Sequence, residues 1–326
     1  MKMTVMNVVV RRRLLIPAAA TAVAALSLTT LSACSSDSAA AGNTDKFDVV
    51  ASFYPMAFLA EQIGGKYVNV TSLTQPGQEP HDLEISAKQT AQLQESDAVL
   101  YLKGLQPSVD DAVGQSEIKT KIDAATLTSL EEHGNEVGGH AAEHDDEHGE
   151  EESGKDPHIW LDPVKYAEVA KGVGAAFEKA DPDHASTYKT NTEMLVEKLG
   201  ALNDQFVNGL KNTDTKVFIT THAAFGYLAE RYGLTEEAIS GLDPESEPSA
   251  ARVKELEKMA KADGVSTVFY ETLVSDKTAK TIAADAGLKT DVLDPIEGIT
   301  EKSRGKDYFS VQEANLKALQ AALGAK

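Results

Sequence analysis

Residues 47–73 read FDVVASFYPMAFLAEQIGGKYVNVTSL, and they set the fold. Phe47 to Phe53 is a short apolar run of strand character. Pro55 opens an amphipathic helix that ends at Gly64-Gly65, proline early and glycine late as helices prefer. Val68 to Leu73 is a strand again. Strand, helix, strand in under thirty residues is the unit from which parallel sheets are built.

The pattern continues outward. Ser86 with Gln89 three residues on forms a capping box for the next helix. Ala98-Val99-Leu100-Tyr101-Leu102 is a near-continuous apolar run, as in a buried parallel strand. Asp162-Pro163 begins a helix to about Ala180, and Asp181-Pro182-Asp183 breaks it. Residues 184–211 carry Tyr188, Thr192, Leu195, Leu199, Leu202, Phe206 and Leu210 at spacings of three and four, a long helix. Beyond it the alternation resumes, with strands expected at 216–220, 265–270 and 290–293 and helices at 223–232, 249–262, 276–286 and 308–322. The expected fold is α/β: two lobes with mainly parallel sheets, 46–183 and 212–326, joined by the long helix 184–211. One continuous sheet is the alternative.

The first 33 residues form a processing segment rather than part of this fold. Arg11-Arg12-Arg13 precedes an apolar run from Leu14 to Ala33, which closes on Leu31-Ser32-Ala33-Cys34, the form of a lipobox. Cys34 is the only cysteine and stands where a lipid-modified first residue stands. Residues 34–45 are small and polar, and the expectation for them is a disordered tether. Lipid on Cys34 would hold the protein on the outer face of a membrane, whereas a retained transmembrane anchor is the other reading of the apolar run. Loss of the leader removes four bases and no acid, taking the net charge from −20 to −24. Such a chain attracts cations and is a poor partner for nucleic acid.

Residues 131–156, EEHGNEVGGHAAEHDDEHGEEESGKD, hold eleven acids, one base, five glycines and four of the eight histidines. His133, His140, His144 and His148 make this insertion a candidate auxiliary loop for loose metal capture. A solvated acidic loop without metal is the plainer reading.

Four further positions share one context. His81 follows a strand, in Glu79-Pro80-His81-Asp82. His158 precedes the Asp162-Pro163 helix start, His222 ends Phe218-Ile219-Thr220-Thr221-His222, and Asp294 follows Val292-Leu293. Ligands of open α/β sheets bind outside the carboxyl ends of the strands, so all four can face one interlobe site. Three imidazoles and a carboxylate make a tetrahedral zinc set. Glu79 and Glu271 are rival fourth ligands, and Asp294 before Pro295 also fits an Asx-type turn.

Lipobox Cys34, Glu79-Pro80-His81-Asp82-Leu83-Glu84, Asp156-Pro157-His158-Ile159-Trp160-Leu161-Asp162-Pro163, Thr220-Thr221-His222-Ala223-Ala224-Phe225 and Leu293-Asp294-Pro295 occur in this order. Together they resemble the metal-specific solute-binding lipoproteins of ABC importers, and within them the zinc-uptake branch. The resemblance covers about residues 45–325. It implies two α/β lobes joined by a rigid helix, with Zn(II) held by His81, His158 and His222 and Asp294 as fourth ligand. It implies delivery to an ABC transporter permease by a monomer that is not an enzyme. Relatives that carry manganese or iron tend to have Glu where His222 stands. A manganese or iron carrier, a zinc hydrolase and a surface adhesin are the competing functions.

Overall fold

The computed structural model describes residues 46–133 and 155–326. Its first half is a parallel sheet of β1 (Phe47–Ala51), β2 (Val68–Ser72), β3 (Ala98–Tyr101) and β4 (Thr120–Asp123), in the order β2-β1-β3-β4. Its crossovers are α1 (Tyr54–Gly64), α2 (Ala87–Glu95) and α3 (Pro107–Gln115). The capping box of α2 is present: Ser86 Oγ accepts from the Gln89 N–H, and Gln89 Oε1 accepts from the Ser86 N–H at 2.9 Å.

Two helices follow, α4 (Pro163–Ala180) and the 25-residue α5 (Ala185–Gly209). Asp162 caps α4 by accepting from the Val164 N–H at 2.8 Å. Leu195, Leu199, Leu202 and Phe206 line the buried stripe of α5.

The second half repeats the first. It contains β5 (Val217–Thr220), α6 (Gly226–Tyr232), β6 (Thr235–Ala238), α7 (Ala250–Ala262), β7 (Thr267–Tyr270), α8 (Lys277–Ala286), β8 (Lys289–Val292) and α9 (Tyr308–Leu323). The sheet order is β6-β5-β7-β8, again parallel. The fold is therefore α/β with two separate four-stranded sheets, not one continuous sheet.

One apolar core spans both halves. It runs from Val49 and Leu100 of the first sheet through Trp160, Tyr166 and Phe206 to Phe218 and Phe269 of the second. The 3-10 turn at Ile159–Leu161 sits inside it, with all three side chains fully buried. Trp160 Nε1 donates to the Pro295 carbonyl at 2.7 Å, and Tyr308 donates to the Trp160 carbonyl at 2.6 Å. The segment bearing His158 is thus tied to the loop after β8. Among the described residues no helix is long and apolar enough to cross a membrane.

Candidate metal centre

Each imidazole reaches the centre from a short segment outside regular structure. His81 lies between β2 and α2, His158 at the mouth of the 3-10 turn, and His222 two residues past β5. The structure brings the three together: ring centroids are 5.3–6.0 Å apart. Their Nε2 atoms all point at one carboxylate oxygen, Glu297 Oε1, at 3.4 Å for His81, 3.5 Å for His158 and 3.6 Å for His222.

Glu297 was not singled out in the sequence. The carboxylate expected there, Asp294, is built into the turn that presents it. Asp294 Oδ1 accepts from the Ile296 N–H at 2.8 Å, an Asx-type bond, and Oδ2 accepts from Thr272 at 3.1 Å. The side chain of Asn315 clamps the Asp294 backbone on both sides. Ile296 takes φ 59°, the one non-glycine positive φ among the described residues. A β-branched residue there is strained, and such strain concentrates at functional sites. The kink turns the chain so that the residue after it, Glu297, faces the imidazoles.

Of the other two rivals, Glu271 stands behind His222 rather than beside it. Its Oε1 is 2.8 Å from His222 Nδ1 and accepts from Thr221 Oγ1 at 2.8 Å. Glu79 accepts from the Asp82 N–H at 3.2 Å, and its other oxygen is buried without a partner. His158 has a counterpart to Glu271 in Asp156, whose Oδ1 meets its Nδ1 at 2.7 Å and its backbone N–H at 2.9 Å. Carboxylates placed behind imidazoles in this way fix the tautomer so that Nε2 is free to bind.

The centre is buried and charged. Side-chain exposure is 11 % for His81, 2 % for His222 and nil for His158 and Glu297. The Nε2 atoms of His158 and His222 and Glu297 Oε2 are buried without a hydrogen-bond partner. Buried polar atoms are seldom left so, and here they converge. Burial opposes charge on His158, but the Asp156 carboxylate and Glu297 outweigh it and hold the ring up to about 9. Burial likewise opposes charge on Glu297, and the three imidazoles hold it well below the usual carboxylate range. A cavity of about 770 Å³ opens beside His81, with Asp110, Asp123 and Asp243 as well as Lys103 and Lys155 in its wall.

The spacing bears on the kind of guest. Four ligands at ~2.0–2.1 Å from a tetrahedral ion stand about 3.3–3.4 Å from one another. The Nε2–Oε1 separations are within a few tenths of an ångström of that edge. His81, His158, His222 and Glu297 form a group able to hold a metal ion.

A second such group comprises Glu131, His133 and Glu230. The remaining members of the insertion, His140, His144 and His148, lie outside the described residues, as does Cys34.

The chain matches the family described as zinc-uptake complex component A, periplasmic, over residues 49–322. It is 38% identical over 298 residues to the zinc-binding lipoprotein AdcA of Streptococcus pneumoniae serotype 4. That alignment covers 89% of this chain and 58% of the relative, so the chain spans little more than half of that protein's length. It is 34% identical to the high-affinity zinc uptake system protein ZnuA of Bacillus subtilis, covering 86% of this chain and 88% of the relative. The crystal structure of the Zn(II)-bound ZnuA-like domain of Streptococcus pneumoniae AdcA superposes with a TM-score of 0.70 at 35% identity. The superposition covers 85% of this chain and 99% of that one. With its paired parallel sheets and its three imidazoles gathered on one glutamate, this chain belongs to the family of zinc-uptake complex component A.

Proposed function

We propose that the protein captures Zn(II) outside the cytoplasm and delivers it to an ABC-type membrane importer. His81, His158, His222 and Glu297 are the zinc ligands. The observation that carries this reading is the convergence of three Nε2 atoms within 3.4–3.6 Å of Glu297 Oε1, the edge length of a tetrahedral zinc site to within a few tenths of an ångström. The relatives named for zinc support the choice of ion. Imidazole-rich sets also favour zinc over manganese, which prefers oxygen ligands and octahedral geometry.

Four protein ligands close the coordination sphere. A catalytic zinc keeps a position open for water, so the site is that of a carrier rather than a hydrolase. His81, the most exposed ligand, faces the cavity and marks the side from which the ion arrives and leaves. Residues 1–33 are a leader that is removed, and lipid on Cys34 with the 34–45 tether keeps the monomeric carrier near its permease. Residues 46–183 and 212–326 act as two lobes about the helix 184–211, with the ion in the cleft between them.

Metal-free protein titrated with zinc and with manganese against a competing chelator tests the assignment. Zinc binds the more tightly, at one tight ion per chain, and cobalt at the same site gives the strong visible bands of tetrahedral coordination. Tighter manganese binding or an octahedral cobalt spectrum would overturn it.

A further inference from the structure

The acidic insertion does not leave the fold at an arbitrary point. Its two ends are fastened together, the Asp156 N–H donating to the Glu131 carbonyl at 2.8 Å. Both are held to α6 by one hydroxyl: Tyr227 Oη accepts from the Glu131 N–H at 2.8 Å and donates to the Asp156 carbonyl at 2.7 Å. At this stem stands His133, its ring pressed on the first turn of α6. A Cβ on Gly226 would lie 2.5 Å from the His133 ring, so any side chain there would have to displace that ring.

The surroundings of His133 repeat those of His158. Asp156, fully buried, spends one oxygen on each: Oδ1 on His158 Nδ1 and Oδ2 on His133 Nδ1, at 2.7 and 2.8 Å. His133 Nε2 points outward to Glu230 Oε2 at 3.2 Å. Ligand atoms of Glu131, His133 and Glu230 lie within 4.8 Å of one another. A carboxylate behind Nδ1, with Nε2 among two further carboxylates, is the arrangement of a metal-binding imidazole. Glu131 also pairs with Lys165 at 2.7 Å, and the Glu230 side chain is 61 % exposed. Both features weaken a cation's hold relative to the buried centre.

We infer that Glu131, His133 and Glu230 form a second, weaker divalent-cation site at the stem of the insertion, oriented by the same Asp156 carboxylate that orients His158. Two imidazoles on opposite sides of one carboxylate thus face two metal sites, one open to solvent and one buried. Water completes the sphere at the outer site. The zinc-carrier reading supplies only the identity of the ion; the outer site's geometry stands without it.

The test removes the insertion's own imidazoles first, with His140→Asn, His144→Asn and His148→Asn together in the full chain. Zinc titration of this metal-free protein against a chromophoric chelator gives two ions per chain, one tight and one weaker. Adding Glu230→Gln, an exposed change that does not threaten folding, widens the ratio of the two dissociation constants by more than about tenfold. Adding His81→Asn and Glu297→Gln instead removes the tight phase and keeps the weaker one. A single ion in the starting variant, or a weaker phase indifferent to Glu230→Gln, overturns the outer site. A tight phase indifferent to His81→Asn and Glu297→Gln overturns the buried centre and leaves the outer one standing.

Discussion

Glu297 and Asp294 divide between them what one acidic residue seemed to promise. The sequence points to Asp294 as the ligand, with the turn that Asp-Pro after a strand marks as the alternative. Glu297 was not legible, because its orientation depends on Ile296 adopting φ 59°, a conformation that no propensity of isoleucine foretells. The three histidines were legible for the opposite reason, since each follows a strand or precedes a helix in a short, well-marked loop. The division of labour has a measurable consequence. Glu297→Gln removes the charge beside the ion and weakens zinc by at least about tenfold. Asp294→Asn loosens the turn, costs about 1–2 kcal/mol in thermal unfolding, and weakens zinc less. A larger zinc defect in Asp294→Asn would make Asp294 the ligand. The pH dependence follows from His158. Zinc takes the neutral ring, and in the metal-free protein that ring stays protonated up to about 9. Apparent zinc affinity therefore climbs with pH through about 9, since His222 is also held well above the ordinary value, and proton release accompanies binding at pH 7. Stability of the metal-free protein moves the other way. Its folded-state value lies above the ordinary 6.5, so the contribution is complete below 6.5 and lost as pH rises through about 9. Chelator titrations and melts at pH 6, 7.5 and 9 check both slopes.

Among the elements, the long and strongly patterned ones were legible and the short polar ones were not. The stripe from Tyr188 to Leu210 announces α5, and the Ser86–Gln89 pair announces the start of α2. Strands β4, Thr-Lys-Ile-Asp, and β6, Thr-Glu-Glu-Ala, escaped notice. Each is four residues long and lies at a sheet edge, so neither carries the apolar run of a central strand. Half-buried Glu236 on β6 is a case in point. It accepts from Thr220 Oγ1 at 2.7 Å and the Phe225 N–H at 3.0 Å, bracketing the loop that carries His222. A carboxyl used this way inside the fold cannot be told from a surface one by sequence. The crossing of α4 and α5 is another feature that sequence hides. A Cβ on Gly174 would lie 2.2 Å from Thr192 Oγ1, which is itself committed to the Tyr188 carbonyl at 2.8 Å. Alanine gains about 1 kcal/mol over glycine in a helix interior. Here the clash outweighs it, because two long helices must separate to admit the methyl. Gly174→Ala lowers stability by about 1–3 kcal/mol, read as a drop in melting temperature. The paired change Gly174→Ala with Thr192→Ala recovers most of it.

At the scale of the molecule the question is how far the two sheets move when zinc binds. Hinged binding proteins swing about flexible crossings, and such a swing needs an interface that parts without breaking a core. Here the core is continuous from Val49 to Phe269, and the fully buried Trp160 sits within it. Its indole N–H bonds the loop after β8, its carbonyl accepts from Tyr308, and its ring meets Phe53 edge to face at 4.9 Å. Asp162, two residues on, pairs with Arg231 of α6 at 2.7 Å. Opening the sheets by a wide rotation would strip these bonds and expose a large aromatic, a cost of several kcal/mol. A zinc ion held as proposed gains nothing from such a motion, since His158 and His222 are buried and their Nε2 atoms already lie within 3.6 Å of buried Glu297 Oε1. The most exposed of the four groups is His81, on a loop beside the cavity. Solution scattering of metal-free and zinc-loaded protein is therefore expected to give radii of gyration within about 1 Å of each other. Hydrogen exchange should slow around residues 75–84 and hardly change in α5. Trp160, the only tryptophan in the chain, lies 5.1 Å from the His158 ring and reports occupancy by its fluorescence. A contraction of several ångströms on loading, with exchange slowed along α5, would mean that the helix bends and the shared core parts. In that case zinc would be trapped by domain closure rather than by a loop over a nearly finished site.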